Sequence, residues 1–162
     1  MTDAIQVNGL RKSYGEKEVL KGIDLYVRQG DIFALLGVNG AGKTTTLECI
    51  EGLRKHDGGR ISVSGSIGIQ LQSAALPAHI KGMEAVRLFS KWNRTNADAS
   101  MLAALGVDSI ANKQYQEMST GQKRRLHLAL ALIRNPDIVF LDEPTAGLDV
   151  EGRISLHEYI RT

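Results

Sequence analysis

The chain has one cysteine, Cys49, and three prolines in 162 residues. A lone thiol excludes an internal disulfide and a cysteine-rich zinc cluster, and it suits a reducing compartment with Cys49 as a buried core thiol. So few prolines leave no proline-rich hinge. No stretch approaches the roughly 18 apolar residues of a membrane span, and the opening MTDAIQVNGLRKSYG has no apolar signal core. If the protein works at a membrane, a partner is expected to supply the spanning part. Neither sign of charge dominates, since 20 Lys and Arg against 18 Asp and Glu leave a net charge of +2. That excess is too small to argue for nucleic acid, and the densest basic run, Lys123, Arg124 and Arg125, reads as one basic helix face.

The remaining composition is that of an ordinary globular domain, with 43% apolar and 23% charged residues. Glycine is plentiful, and its 17 residues fall between apolar segments, where they punctuate elements. β-branched and apolar runs predict short strands at Ile5–Val7, Ile23–Val27 and Ile32–Leu36, with turns near Gly15 and Gly30. Leu47, Ile50 and Leu53 recur at helical spacing after Gly42. Two more strands are expected at Arg60–Val63 and Ile67–Leu71. Beyond Pro77 the pattern turns helical: Met83, Val86, Leu88 and Phe89, then Met101, Leu102 and Leu105, then Gly121–Arg134, suggest an all-helical insert over residues 77–135. Ile138–Leu141 reads as a parallel strand buried on both faces, with Asp142 and Glu143 at its carboxyl end, the edge where open α/β sheets bind ligands. A last helix is expected from Val150 to Ile160.

Gly37, Val38, Asn39, Gly40, Ala41, Gly42, Lys43 and Thr44 fit the pattern glycine, four residues, glycine, lysine, serine or threonine. A strand before it and a helix after it are the context in which this pattern binds phosphate. A triphosphate needs many donors in a small volume. Glycines let the backbone curl so that successive amides face inward, and the helix amino terminus adds free N–H groups and its dipole. Lys43 is expected between the β and γ phosphates, the Thr44 hydroxyl on magnesium, and Thr45 beside the phosphates. Phosphoryl transfer to water also needs carboxylates, one toward the metal and one toward the attacking water. Asp142 and Glu143 divide that work in the expected site. Alone, such a pair is more often a helix cap or a solvated turn.

Between these motifs lie Met118, Ser119, Thr120, Gly121 and Gln122, followed by Lys123–Leu132. Here the sequence resembles the ATP-binding cassette domains of ABC transporters, whose signature is usually leucine, serine, glycine, glycine, glutamine. The resemblance covers essentially the whole chain. It implies an α/β P-loop NTPase fold with an α-helical insert and a small antiparallel β subdomain, organised as residues 1–76 (β subdomain and phosphate-loop core), 77–135 (insert with signature) and 136–162 (acidic-pair strand and following helix). It also implies that Tyr14 stacks on adenine, that Gln72 contacts magnesium and senses the γ phosphate, and that Gly147, Leu148 and Asp149 form a loop crossing to a second subunit. Taken singly, Tyr14 reads as packing and Gln72 as an exposed turn residue.

Ser119 and the amides at a helix amino terminus make a second anion site. By the resemblance, Ser119, Gly121 and Gln122 meet the γ phosphate held by another subunit, so that two ATP molecules are sandwiched head to tail between two domains. The implied cofactors are ATP and Mg2+. The implied partners are a transmembrane subunit and a second ATP-binding subunit, without nucleic acid, at the cytoplasmic face of the cell membrane.

Two departures from the family pattern stand out. Thr120 replaces the usual glycine, which is expected to weaken the anion contact, and threonine there is shared with exporters resembling those for drugs or antibiotics. A further strand carrying a histidine is expected after the last helix, and no segment after Ile160 fits it, so the carboxyl-terminal strands of the fold are expected to be absent. His157 falls inside the expected helix and reads as an ordinary helix residue. These features suggest the amino-terminal part of a longer cassette. The leading expectation is the ATPase subunit of an exporter of small molecules. Two others stay open: an ABC protein acting on nucleic acid or the ribosome, and a nucleotide-binding piece without turnover.

Overall fold

The computed structural model describes residues 3–70 and 75–141. The chain forms two compact units that meet in sequence between Ile67 and Gly68.

The first unit opens with a long antiparallel hairpin of β1 (Asp3–Tyr14) and β2 (Lys17–Arg28), closed by a two-residue turn. Gly15 stands at the first turn position with φ 58°, which right-twisted hairpins favour and side chains resist. β3 (Gly58–Val63) lies antiparallel on the other side of β1, giving the order β2-β1-β3. Ile5 and Val7 point inward by simple alternation, yet so does Leu10, an even-numbered position. The phase changes because the register slips between Val7 and Leu10, where Gly9 sits at φ 60° and donates its amide to Asp24 Oδ1 at 2.5 Å. Leu20, Val27, Cys49 and Ile50 are the other buried apolar residues of the unit. Burial pushes the Cys49 thiol above its ordinary pKa.

Gly59 faces the bulge. A Cβ there would lie 2.5 Å from the carbonyl oxygen of Gly9 and 2.6 Å from that of Asn8, with φ at 92°. Gly59→Ala is therefore expected to destabilise the unit by about 2–4 kcal/mol, from backbone strain and the forced separation of β3 from β1. The shift in denaturant midpoint measures it.

The helix α1 (Lys43–Ile50) follows the glycine loop as expected. The segment before the loop differs from expectation, because residues 31–38 form no strand. A strand exists only through a neighbouring strand's hydrogen bonds, and no described strand pairs with this segment. Ile32 and Leu36 are accordingly 71% and 88% exposed.

The second unit contains β4 (Ile67–Gln70), α2 (Gly82–Asn93), α3 (Ala99–Ala104), α4 (Thr120–Leu132) and β5 (Ile138–Leu141), with short 3-10 turns at Asp108–Ile110 and Tyr115–Glu117. The three helices appear where the periodicity places them. Asp98 caps α3 through the amide of Ser100 at 2.7 Å, and the Ser100 hydroxyl and amide hold its carboxyl below the usual carboxylate range. One cluster forms the core, including Val86, Leu102, Leu105, Ile110, Met118, Leu126 and Leu130. β4 and β5 neighbour one another in a two-stranded sheet. β5 is not buried on both faces, contrary to its continuous apolar run. Phe140 is buried while Val139, which points to the other face by alternation, is 37% exposed.

Between α4 and the turn before it, the Tyr115 and His127 rings stack at 5.6 Å and share a hydrogen bond of 3.0 Å between Oη and Nε2. Burial, then the nearby Lys123 ammonium, lower the His127 pKa below its ordinary value. The folded chain thus holds His127 neutral. As pH falls through about 6.5 the unfolded chain takes up a proton first. This contribution to stability is complete above that pH and lost as pH falls toward the lower folded value. Denaturant midpoints measured from pH 8 to pH 5 are expected to fall, and His127→Gln to flatten that part of the profile.

Candidate functional site

The glycine loop and the base of α1 combine exposed backbone with glycine-only conformations. Gly37 through Ala41 are all exposed. Gly40 and Gly42 take φ of 83° and 89°, and a Cβ at Gly42 would lie 2.7 Å from Leu20 Cδ2, so the loop is pressed against β2. The Ala41 amide donates to Val38 O at 3.2 Å, tightening the turn. Lys43 folds back over this loop, with Nζ donating to Gly37 O at 2.7 Å and to Val38 O at 3.0 Å. An ammonium has three donors, so these bonds still leave one for a ligand at the mouth of the loop. Thr46 is buried and returns its hydroxyl to Gly42 O at 2.9 Å, which locks the first turn. Thr44 is exposed and Thr45 half-buried.

Magnesium bound with nucleotide takes few protein ligands and keeps waters and phosphate oxygens, so one exposed hydroxyl at the helix start fits it without an acidic cage. Thr44 offers that hydroxyl, which has no hydrogen-bond partner among the described residues, and those residues contain no cluster of three or more metal-binding side chains.

Tyr14 ends β1 and is 44% exposed. Two cations lie against its ring: Lys12 Nζ at 5.6 Å and Arg54 Cζ at 5.4 Å from the centroid. Each is anchored by a carboxylate, Lys12 by Asp57 at 2.9 Å and Arg54 by Glu48 at 2.6 Å. Asp57 also accepts the Ser13 amide at 2.7 Å, and the Lys12 ammonium and this amide hold its carboxyl below the usual range. Sequence reading missed all four supporting residues. They lie up to 45 positions from their partners, and no local pattern marks them.

The other motif belongs to the second unit. Ser119 caps α4, its Oγ accepting from the Gln122 amide at 3.2 Å while Gln122 Oε1 accepts from the Ser119 amide at 3.0 Å. This reciprocal box leaves the Ser119 O–H proton available to an acceptor outside the helix. Lys113, also unforeseen, donates to the same Gln122 oxygen at 3.0 Å. Thr120 is exposed and Gly121 half-buried at the opening turn of α4. The structure thus groups Gly37–Thr45 and Tyr14 in one unit, and Ser119, Gly121 and Gln122 in the other. Gln72, Asp142, Glu143 and the Gly147–Asp149 loop lie outside the described residues.

A glycine loop opening a helix, with a lysine turned over it, is the architecture of a P-loop nucleotide-binding domain. The family model for ABC transporters matches residues 20–146, and the chain belongs to that family. It is 38% identical to the daunorubicin resistance ATP-binding protein DrrA3 of Streptomyces coeruleorubidus, over 98% of this chain and 56% of that protein. It is 36% identical to the aliphatic sulfonates import ATP-binding protein SsuB 1 of Nocardia farcinica, over 97% of this chain and 65% of that protein. The chain thus spans little more than half the length of the first of these relatives. Its fold matches a solved ATP-binding subunit of an ABC transporter with a TM-score of 0.85 at 24% identity, covering 98% of this chain and 73% of that one.

Proposed function

We propose that this chain is the ATP-binding and ATP-hydrolysing part of an ABC transporter that exports a small, drug- or antibiotic-like molecule through a separate membrane subunit. The observation that carries the ATP-binding reading is the Lys43-covered loop of Gly37–Gly42 at the base of α1. In this reading, ATP lies with its base on Tyr14 and its phosphates among the amides of Gly37, Val38, Asn39, Gly40, Ala41 and Gly42, with Thr45 beside them. Lys43 bridges the β and γ phosphates. Thr44, Gln72 and Asp142 would hold a magnesium ion, which would neutralise phosphate charge.

Glu143 takes a proton from the attacking water as its oxygen bonds to the γ phosphorus. The bond from that phosphorus to the β–γ bridging oxygen breaks, and ADP leaves with the electron pair. Ser119, Gly121 and Gln122 serve a second cassette, donating to the γ phosphate bound there. ATP would therefore hold two cassettes head to tail, and hydrolysis would release them, moving the transmembrane subunits that the helical insert touches. This places the chain at the cytoplasmic face of a membrane, through a partner. No described helix is long and apolar enough to cross one.

Export is favoured by the daunorubicin resistance relative and by Thr120. Import is the second reading, since the sulfonate import relative is almost as similar. Everted membrane vesicles from cells overproducing the whole transporter separate the two. ATP-driven accumulation of amphipathic antibiotics inside such vesicles is the expected result. Loss of solute uptake by intact cells on deletion, with no such accumulation, would instead favour import.

A further inference from the structure

We propose that Arg54 is a positioning residue for the base of the nucleotide, holding the Tyr14 ring as a preformed platform and tying it to the phosphate-binding helix. This rests on the proposed stacking of adenine on Tyr14.

Arg54 lies four residues past the end of α1. It is fixed twice to one residue of that helix: its amide donates to Glu48 O at 3.0 Å, and its Nε donates to Glu48 Oε2 at 2.6 Å. A guanidinium bound along its edge keeps its plane available for an aromatic ring, which a lysine cannot match. Its Cζ lies 5.4 Å from the centroid of the Tyr14 ring. Lys12, itself held by Asp57, adds a second anchored cation at 5.6 Å.

An exposed tyrosine at the end of a hairpin would otherwise sample several rotamers, and a base stacking on it would have to order it first. Two anchored cations remove much of that cost before the nucleotide arrives. Glu48 stands five positions after Lys43 on the same helix, so the element that meets the phosphates also sets the platform for the base. The selectivity of this chain for a whole nucleotide over a bare polyphosphate is then set in part from α1, through Glu48 and Arg54.

Equilibrium binding of ATP and of inorganic tripolyphosphate to the full chain tests this, using Arg54→Ala, Arg54→Lys, Glu48→Gln and Tyr14→Ala. Arg54→Ala is expected to weaken ATP about 2- to 5-fold, the scale of an exposed cation–π contact, while leaving tripolyphosphate unchanged. Arg54→Lys should restore part of the loss, and Glu48→Gln should show a smaller loss in the same direction. In the Tyr14→Ala background, adding Arg54→Ala should weaken ATP no further. Equal weakening of ATP and tripolyphosphate by Arg54→Ala overturns the proposal, since it marks a defect of the loop or the fold. If Tyr14→Ala weakens ATP while Arg54→Ala does not, the role of Arg54 falls and the platform stands. If neither changes ATP affinity, the stacking role of Tyr14 falls, and the proposal with it.

Discussion

A protein carrying Glu143→Gln is expected to bind ATP as the parent does and to hydrolyse it about a hundred- to ten-thousandfold more slowly, the usual range for loss of a general base. The amide keeps the shape of the side chain and its place after β5, but it cannot accept the proton of the attacking water. ATP should therefore persist on the protein, and with it any pairing of cassettes that ATP holds together. Equilibrium nucleotide binding and single-turnover hydrolysis, measured on the same sample, check both halves. A large loss of affinity would show that Glu143 supports the fold or the phosphates and does not handle the proton.

Lys43→Ala should fail at the earlier step. Its ammonium would contribute charge-assisted hydrogen bonds to phosphate worth about 1.5–3 kcal/mol each. Part of that gain is offset by the bonds to Gly37 O and Val38 O that it already makes. A loss of ATP affinity of about a hundredfold follows from two phosphate contacts after this offset. Titration calorimetry with ATP and with ADP refines the assignment. A lysine reaching the γ phosphate should cost ATP more than ADP, whereas one confined to the β phosphate should cost both alike.

The glycine loop and the helix after it were legible because their signal is local: eight consecutive residues and a helical repeat. The helices of the second unit were legible for the same reason. What sequence reading missed is what depends on distant neighbours. Residues 31–38 have strand-forming side chains, but a ladder needs a partner, and none of the described strands adjoins them. Val139 reads as buried from its apolar neighbours, but burial on a sheet face depends on what packs over that face, which no run of apolar residues encodes. The phase change that turns Leu10 inward depends on the bulge at Gly9, and alternation alone would have placed Leu10 outside. Lys12, Asp57, Glu48 and Arg54 are ordinary surface charges in the sequence, and only the folded hairpin brings them around one tyrosine ring.

If nucleotide binds at this loop as proposed, the back-folded Lys43 makes its entry in part an exchange of contacts. On the proposed reading, one Lys43 donor is free for phosphate, and any further contact to it would displace the carbonyl of Gly37 or of Val38. The affinity observed for nucleotide would then report a difference between two sets of contacts, those made to phosphate and those the loop already makes to its own lysine.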